Sequence, residues 1–279
     1  MSRVPDAEPR PAWAARSLEG RATVNAVARL LAPLGVAVMP LKGVLMDALE
    51  PSMIGTRYLG DIDVLVNRYS TALAALHRAG WRRVGRAAHA TTFVAAESSL
   101  HLDVHREVTS TVAYGLTAKD LFERGTANTC GFGAPIVVPD PLDEFAHLVA
   151  HFVQGRHTRA DQRHASDFAR VARRAALDPL AVARHLDALG LGRAARYALS
   201  AADDGFSRSV LGALAPDPMG AILARVGGAG LARYPRSATL GAFFPPLLAR
   251  SLPRGAAMLA LQVGARARRW VSSDPPLQD

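Results

Sequence analysis

Asp61 and Asp63 stand two apart in Gly60-Asp61-Ile62-Asp63-Val64-Leu65-Val66, and Asp103 stands between two histidines in His101-Leu102-Asp103-Val104-His105. Read as strands, both segments alternate, with the polar side chains on one face and Ile62, Val64, Leu102 and Val104 on the other. If the two strands are neighbours, Asp61, Asp63 and Asp103 converge. Three close carboxylates repel unless a hard divalent cation sits among them, and Mg2+ or Mn2+ takes such oxygens together with those of a triphosphate. The pattern predicts two-metal, in-line transfer of a nucleotidyl group. Asp61 and Asp63 are then ligands to both ions, and Asp103 completes the catalytic-metal site and helps deprotonate an acceptor hydroxyl.

Leu41-Lys42-Gly43 marks a change from strand to helix upstream of these aspartates. Backbone N–H groups at a helix start favour phosphate, and glycine permits close approach. Of the 33 basic residues, only Lys42 and Lys119 are lysine. A lysine kept at position 42 suggests a compact ammonium set against phosphate. Arg57, four residues before Asp61, adds a second clamp, and Gly60 completes the expected nucleotide-binding set.

At these residues the chain resembles the DNA polymerase β-type nucleotidyltransferase superfamily, and more closely its branch of bacterial uncharacterised nucleotidyltransferases. The resemblance rests on Leu41-Lys42-Gly43, Arg57, Gly60 to Val66 and His101 to His105, in that order, and covers about residues 20–170. It implies an α+β fold, a small mixed sheet with flanking helices followed by an all-helical part. It also implies transfer of a nucleoside monophosphate, AMP by preference, from an NTP to an unidentified acceptor. Most of the superfamily has Gly-Ser or Gly-Gly where this chain has Lys42-Gly43. His151 and Asp167 are candidate acceptor contacts because relatives carry similar residues there, and His101 and His105 are candidates to support Asp103 or meet substrate.

The elements that must position these groups follow from periodicity and punctuation. A helix is expected over Leu18–Leu34 and a strand over Val36–Met39, closed by Pro40. A helix is expected from Lys42-Gly43 to Leu49, a strand over Asp61–Val66 and a helix over Ser70–Ala79. Further strands are expected over Trp81–Val84, Thr92–Ala96 and Leu100–His105, the last two joined by a turn at Glu97-Ser98-Ser99. Asp140-Pro141 is a helix start, with an N-cap aspartate, proline at the first position and Asp143 and Glu144 in the first turn. Nearly everything from there to Trp270 reads as helix. The expected division is a mobile tail over 1–15, a nucleotidyltransferase-like α/β domain over 16–139, a helical acceptor or support domain over 140–271 and a tail over 272–279.

Composition excludes several classes. The chain has 279 residues, 49% hydrophobic and 20% charged, which rules out wholesale disorder. No apolar run reaches the ~18–20 residues of a membrane span, and the charged, proline-containing start is not a secretory signal. Cys130 is the sole cysteine, so no internal disulfide framework or cysteine-based zinc cage forms. The expected setting is the cytoplasm. The formal net charge of +9 favours anionic partners. Its arginines are dispersed, however, so an NTP with a small-molecule or protein acceptor is favoured over nucleic acid.

Competing readings exist for each feature. Asp61 and Asp63 suit a strand start, and Asp103 with its histidines suits a solvated strand face. His101, Asp103 and His105 also suit a transition-metal enzyme, and a nucleotidyltransferase fold can serve as a non-catalytic nucleotide- or partner-binding module. His147 and His151 lie four apart on one helix face, followed by Gln154, His157 and His164, but the glutamate of His-Glu-x-x-His is missing. Cys130 reads as structural. Arg266, Arg268, Arg269 and Trp270 read as a solvated helix end.

Overall fold

The computed structural model describes residues 10–223 apart from 88, 96–97, 110, 112, 156 and 158–161, together with 225, 247–249, 253–257 and 260. The chain begins with α1 (Pro11–Leu31), followed by a single 3-10 turn at Ala32–Leu34. Pro11 at the first helical position pre-sets φ and lacks only an N–H that would be unbonded anyway. The helix therefore starts earlier than expected, and residues 11–15 of the anticipated tail are helical. Residues 1–9 of that tail, the 272–279 tail, Glu97 and the Arg266–Trp270 segment lie outside the described residues.

The chain continues through β1 (Val38–Leu41), α2 (Lys42–Leu49), β2 (Asp61–Val66), α3 (Tyr69–Arg78), β3 (Arg82–Arg86), β4 (Ala90–Val94) and β5 (His101–His105). The strands form one mixed sheet in the order β1-β2-β5-β4-β3, in which β2 and β5 run parallel and the other pairs antiparallel. Pro40 does not close β1 but lies within it, opposite Val64. An edge strand tolerates this because the absent N–H belongs to no ladder bond. A short helix α4 (Ala118–Arg124) and an antiparallel pair, β6 (Thr126–Asn128) and β7 (Ile136–Val138), come next. Strands this short carry too little alternation to be read from sequence.

The helices α5 (Pro141–Gln154), α6 (Gln162–Arg174), α7 (Pro179–Ala188), α8 (Gly192–Leu199) and α9 (Gly205–Ala213) follow. α5 starts where Asp140-Pro141 predicts, with the Asp140 carboxylate accepting from Leu142 N. Among the described residues no helix is long and apolar enough to cross a membrane.

Strand alternation splits the core in two. Ile62, Val64, Leu102 and Val104 face Val24, Val27, Leu31 and Leu76 of α1 and α3. The opposite face contributes Met39, Leu41 and Leu65 to a core shared with Phe145, Val149 and Phe152 of α5 and continuing through α6–α9. Asp63 and Asp103 belong to this second face, so the C-terminal helices cover the side of the sheet that bears these two carboxylates. α5 is fixed by Asp143, which accepts two bonds from Arg124 and one from His185 Nε2.

Candidate active site

Parallel pairing sets Asp63 directly opposite Asp103, and Asp61 opposite His101. The strand spacing of ~4.8 Å brings register partners on one face together, whereas a two-residue step along a strand separates side chains by ~7 Å. Ligand atoms of Asp63, Asp103 and His105 lie within 4.8 Å of one another, the long His105 side chain reaching back from two positions along β5 to Asp63. Asp61 and His101 stand outside this group, exposed at the first positions of β2 and β5. The ligand set His101, Asp103 and His105 is therefore not assembled, because its ends lie four residues apart on one strand. Asp63 from the neighbouring strand takes the place of His101.

Asp63 is buried and its Oδ1 accepts from both Lys42 Nζ and His105 Nε2, each at 2.8 Å. Burial alone would raise this carboxyl, but the Lys42 ammonium and the His105 hydrogen bond outweigh it and hold Asp63 well below the usual carboxylate range. Asp103 Oδ1 accepts from Thr92 Oγ1 at 2.6 Å, a contact set by the opposed register of Thr92 and Asp103 in β4 and β5. His89 stacks on His105, with ring centroids 5.5 Å apart. Thr92 and His89 were not legible as site residues, since only strand register brings them here.

Lys42 has a left-handed backbone, φ 52°, at the joint between β1 and α2. Leu41 is the register partner of Asp63, so this joint lies beside the carboxylate. The expected phosphate-holding lysine is thus engaged with Asp63, and its Nζ also lies 3.5 Å from His151 Nδ1. His147 and His151 roof the site from α5. Burial first, then the Lys42 charge, keeps both imidazoles neutral, His147 at about 3 and His151 well below its ordinary value.

Arg57 pairs with Asp167 of α6 at 2.8 Å, with the two side chains 13% and 3% exposed. Gly43 makes room for this arm: a Cβ there would run into Arg57 Nη1 and approach Leu59 Cδ1 to 2.9 Å. α2 is anchored by Ser17 Oγ, which donates to Asp47 Oδ2 at 2.7 Å, and by Arg170, whose Nη2 donates to Met46 O at 3.2 Å. Gly60 precedes β2, and its carbonyl accepts from Arg16 Nη2 at 3.4 Å. Lys42 and Arg57 thus tie the sheet side of the site, where Asp63, Asp103 and His105 meet, to His151 of α5 and Asp167 of α6, with Gly43 beneath the Arg57 arm.

The donor set suits a divalent cation. Two carboxylates and an imidazole converge, and His105 Nδ1 is buried without a hydrogen-bond partner among the described residues.

Comparison with known proteins places the sequence among similar ones. A family model described as an uncharacterised nucleotidyltransferase matches residues 10–207. No curated protein matches the chain. Two solved structures are similar at 13% identity. One is an antigenic nucleotidyltransferase-like protein from Paracoccidioides brasiliensis, with 56% of this chain and 77% of that one covered and a TM-score of 0.39. The other is a tRNA-processing enzyme in an apo form, with 86% and 73% covered and a TM-score of 0.29.

Proposed function

Because this chain belongs to the uncharacterised nucleotidyltransferase family, we propose that it moves a nucleoside monophosphate, AMP by preference, from a Mg2+- or Mn2+-bound NTP to a hydroxyl or similar group of an acceptor. The acceptor sits between the sheet and α5–α6, and the setting is the cytoplasm, where NTP and Mg2+ are at hand. Residues 16–139 serve as the transferase unit and 140–271 as its acceptor-side support. One observation carries the reading: Asp63 and Asp103 are register partners on adjacent parallel strands, beside the joint at Lys42-Gly43.

When bound, the divalent ions supply charge neutralisation of the triphosphate and a more acidic acceptor hydroxyl. Asp63 and Asp103 hold that charge in place, and Asp61 extends the carboxylate set toward the mouth of the strand. His105 keeps Asp63 oriented through its Nε2. Asp103 takes the acceptor proton on the oxygen that Thr92 leaves unbonded. The acceptor oxygen bonds to the α-phosphorus as the bond to the β-phosphate oxygen breaks, and pyrophosphate departs with that electron pair. Lys42 and Arg57 turn from Asp63 and Asp167 to the phosphates, with Gly43 and Gly60 giving them room. His101, His151 and Asp167 border the acceptor. Such catalysis is positioning plus electrostatics.

The test is incorporation of label from α-labelled ATP, with Mg2+ and cell extract, by the parent and by Asp63→Ala. Label retained by the parent and lost by the mutant supports the reading; equal labelling by both overturns it. A second reading, a nucleotide-binding module without turnover, draws on the double occupation of Asp63 Oδ1 by Lys42 and His105. It predicts thermal stabilisation by nucleotide with no pyrophosphate release.

A further inference from the structure

α5 ends in His151 and Gln154, and α6 carries His164 in its first turn. Between them lies His157, whose N donates to Phe152 O at 3.0 Å and whose carbonyl accepts from Tyr197 Oη at 2.7 Å. The result is a cluster of imidazoles: one ligand nitrogen from each of His151, His157 and His164 lies within 4.8 Å of the other two. The ring centroids are 3.8 Å apart for His157 and His164, 5.3 Å for His151 and His157, and 5.7 Å for His151 and His164. None of the three belongs to the Asp63–Asp103–His105 group.

We infer that His151, His157 and His164 form a second metal centre, which takes one divalent transition-metal ion of the Zn2+ class and pins the start of α6 to the end of α5. Three imidazoles are a donor set for Zn2+, Co2+ or Ni2+ rather than for Mg2+, which requires oxygen. The site is partly buried, so the ion keeps a solvent or carboxylate ligand. Zinc–nitrogen bonds of ~2.0–2.1 Å set three such nitrogens about 3.4 Å apart, which small side-chain rotations achieve from the observed separations. The contact of His151 with Lys42, at 3.5 Å, is too long to fix the ring against a metal bond.

The spacing gives the ion a purpose. His164 and Asp167 lie three apart on α6 and share a face, and Asp167 holds Arg57. An ion on His164 thus fixes the helix from which the Arg57 arm is positioned. The inference is independent of which group the protein transfers.

The experiment uses the full, untagged chain, stripped with chelator and titrated with Zn2+ by calorimetry and with Co2+ by visible absorption. One equivalent is expected, with a Co2+ spectrum of nitrogen-ligated, four- or five-coordinate metal. His157→Ala and His164→Ala are expected to weaken Zn2+ binding by at least about 100-fold, more than loss of an outer-sphere partner does. Asp103→Asn is expected to retain it. X-ray absorption of the parent's bound zinc reports imidazole scattering without any variant, so a misfolded mutant leaves the question decidable. No zinc uptake by the parent, an oxygen-only ligand shell, or binding lost in Asp103→Asn but kept in His164→Ala overturns the inference.

Discussion

Lys42 Nζ lies 2.8 Å from Asp63 Oδ1, across the joint where β1 turns into α2, and the Lys42 backbone is left-handed to put it there. A non-glycine residue in that region costs about 1–3 kcal/mol and persists where the surroundings demand it. The side chains are 13% and 5% exposed, so this pair is shielded from solvent.

Removal of Lys42 therefore tests charge and strain separately. Lys42→Ala leaves Asp63 buried without its ammonium partner, keeping the His105 hydrogen bond, and loss of one member of a buried pair costs about 3–5 kcal/mol. Lys42→Gly loses the same charge but relaxes the backbone, and is expected to be about 1 kcal/mol more stable than Lys42→Ala. Urea denaturation of the three proteins at neutral pH decides this. Mg2+ is expected to raise the melting temperature of Lys42→Ala more than that of the parent, because the ammonium competes for Asp63 Oδ1.

Asp103→Asn keeps shape and removes charge. A loss of about 10²-fold or more in kcat is expected, in line with the several kcal/mol that metal-anchored charge stabilisation supplies. NTP binding by calorimetry is expected to survive. Thr92→Val removes only the hydroxyl that orients Asp103, and a decrease in kcat of about 10-fold or less is expected, the worth of one hydrogen bond. Normal turnover by Asp103→Asn would place the third carboxylate elsewhere.

Gly43→Ala puts a methyl where Arg57 crosses α2. Arg57 is flexible but its far end is tied to Asp167, so the methyl must break or bend that pair. A rise in KM for NTP is expected, with a stability loss of about 1–3 kcal/mol as in other overpacked cores. Steady-state kinetics and a thermal melt on the same preparation measure both.

His147 gives a pH dependence. Its folded value, about 3, lies below the ordinary 6.5, so between those values the unfolded chain binds the extra proton. Its neutral burial is fully compatible with folding above pH ~6.5, and stability falls as pH drops below it, by up to about 1.4 kcal/mol per pH unit. Asp63 behaves as a depressed carboxylate, stabilising above pH ~4 and losing that contribution only as pH falls further. Denaturant midpoints of the metal-free protein at pH 7.5, 6.5 and 5.5 (chosen on the order of the histidine value) are expected to decline. His147→Gln is expected to decline less, and equal slopes would remove His147 as the cause.

The sequence by itself determined the local elements and the chemistry they carry. Alternation fixed Asp61–Val66 as a strand, with Asp63 facing away from Ile62 and Val64. Asp140-Pro141 fixed the start of α5, and Lys42-Gly43 the start of α2. These are properties of neighbouring residues, set by side-chain periodicity and the orphan N–H groups of a helix start. Only the tertiary structure decided partners. Parallel register set Asp103 opposite Asp63 and left Asp61 and His101 exposed at the ends of their strands. It bound Lys42 to Asp63 rather than leaving it poised toward solvent, brought Thr92 to Asp103, and gathered His151, His157 and His164 into one cluster. Pairings between residues far apart in the chain depend on strand order and register, and no local propensity specifies those.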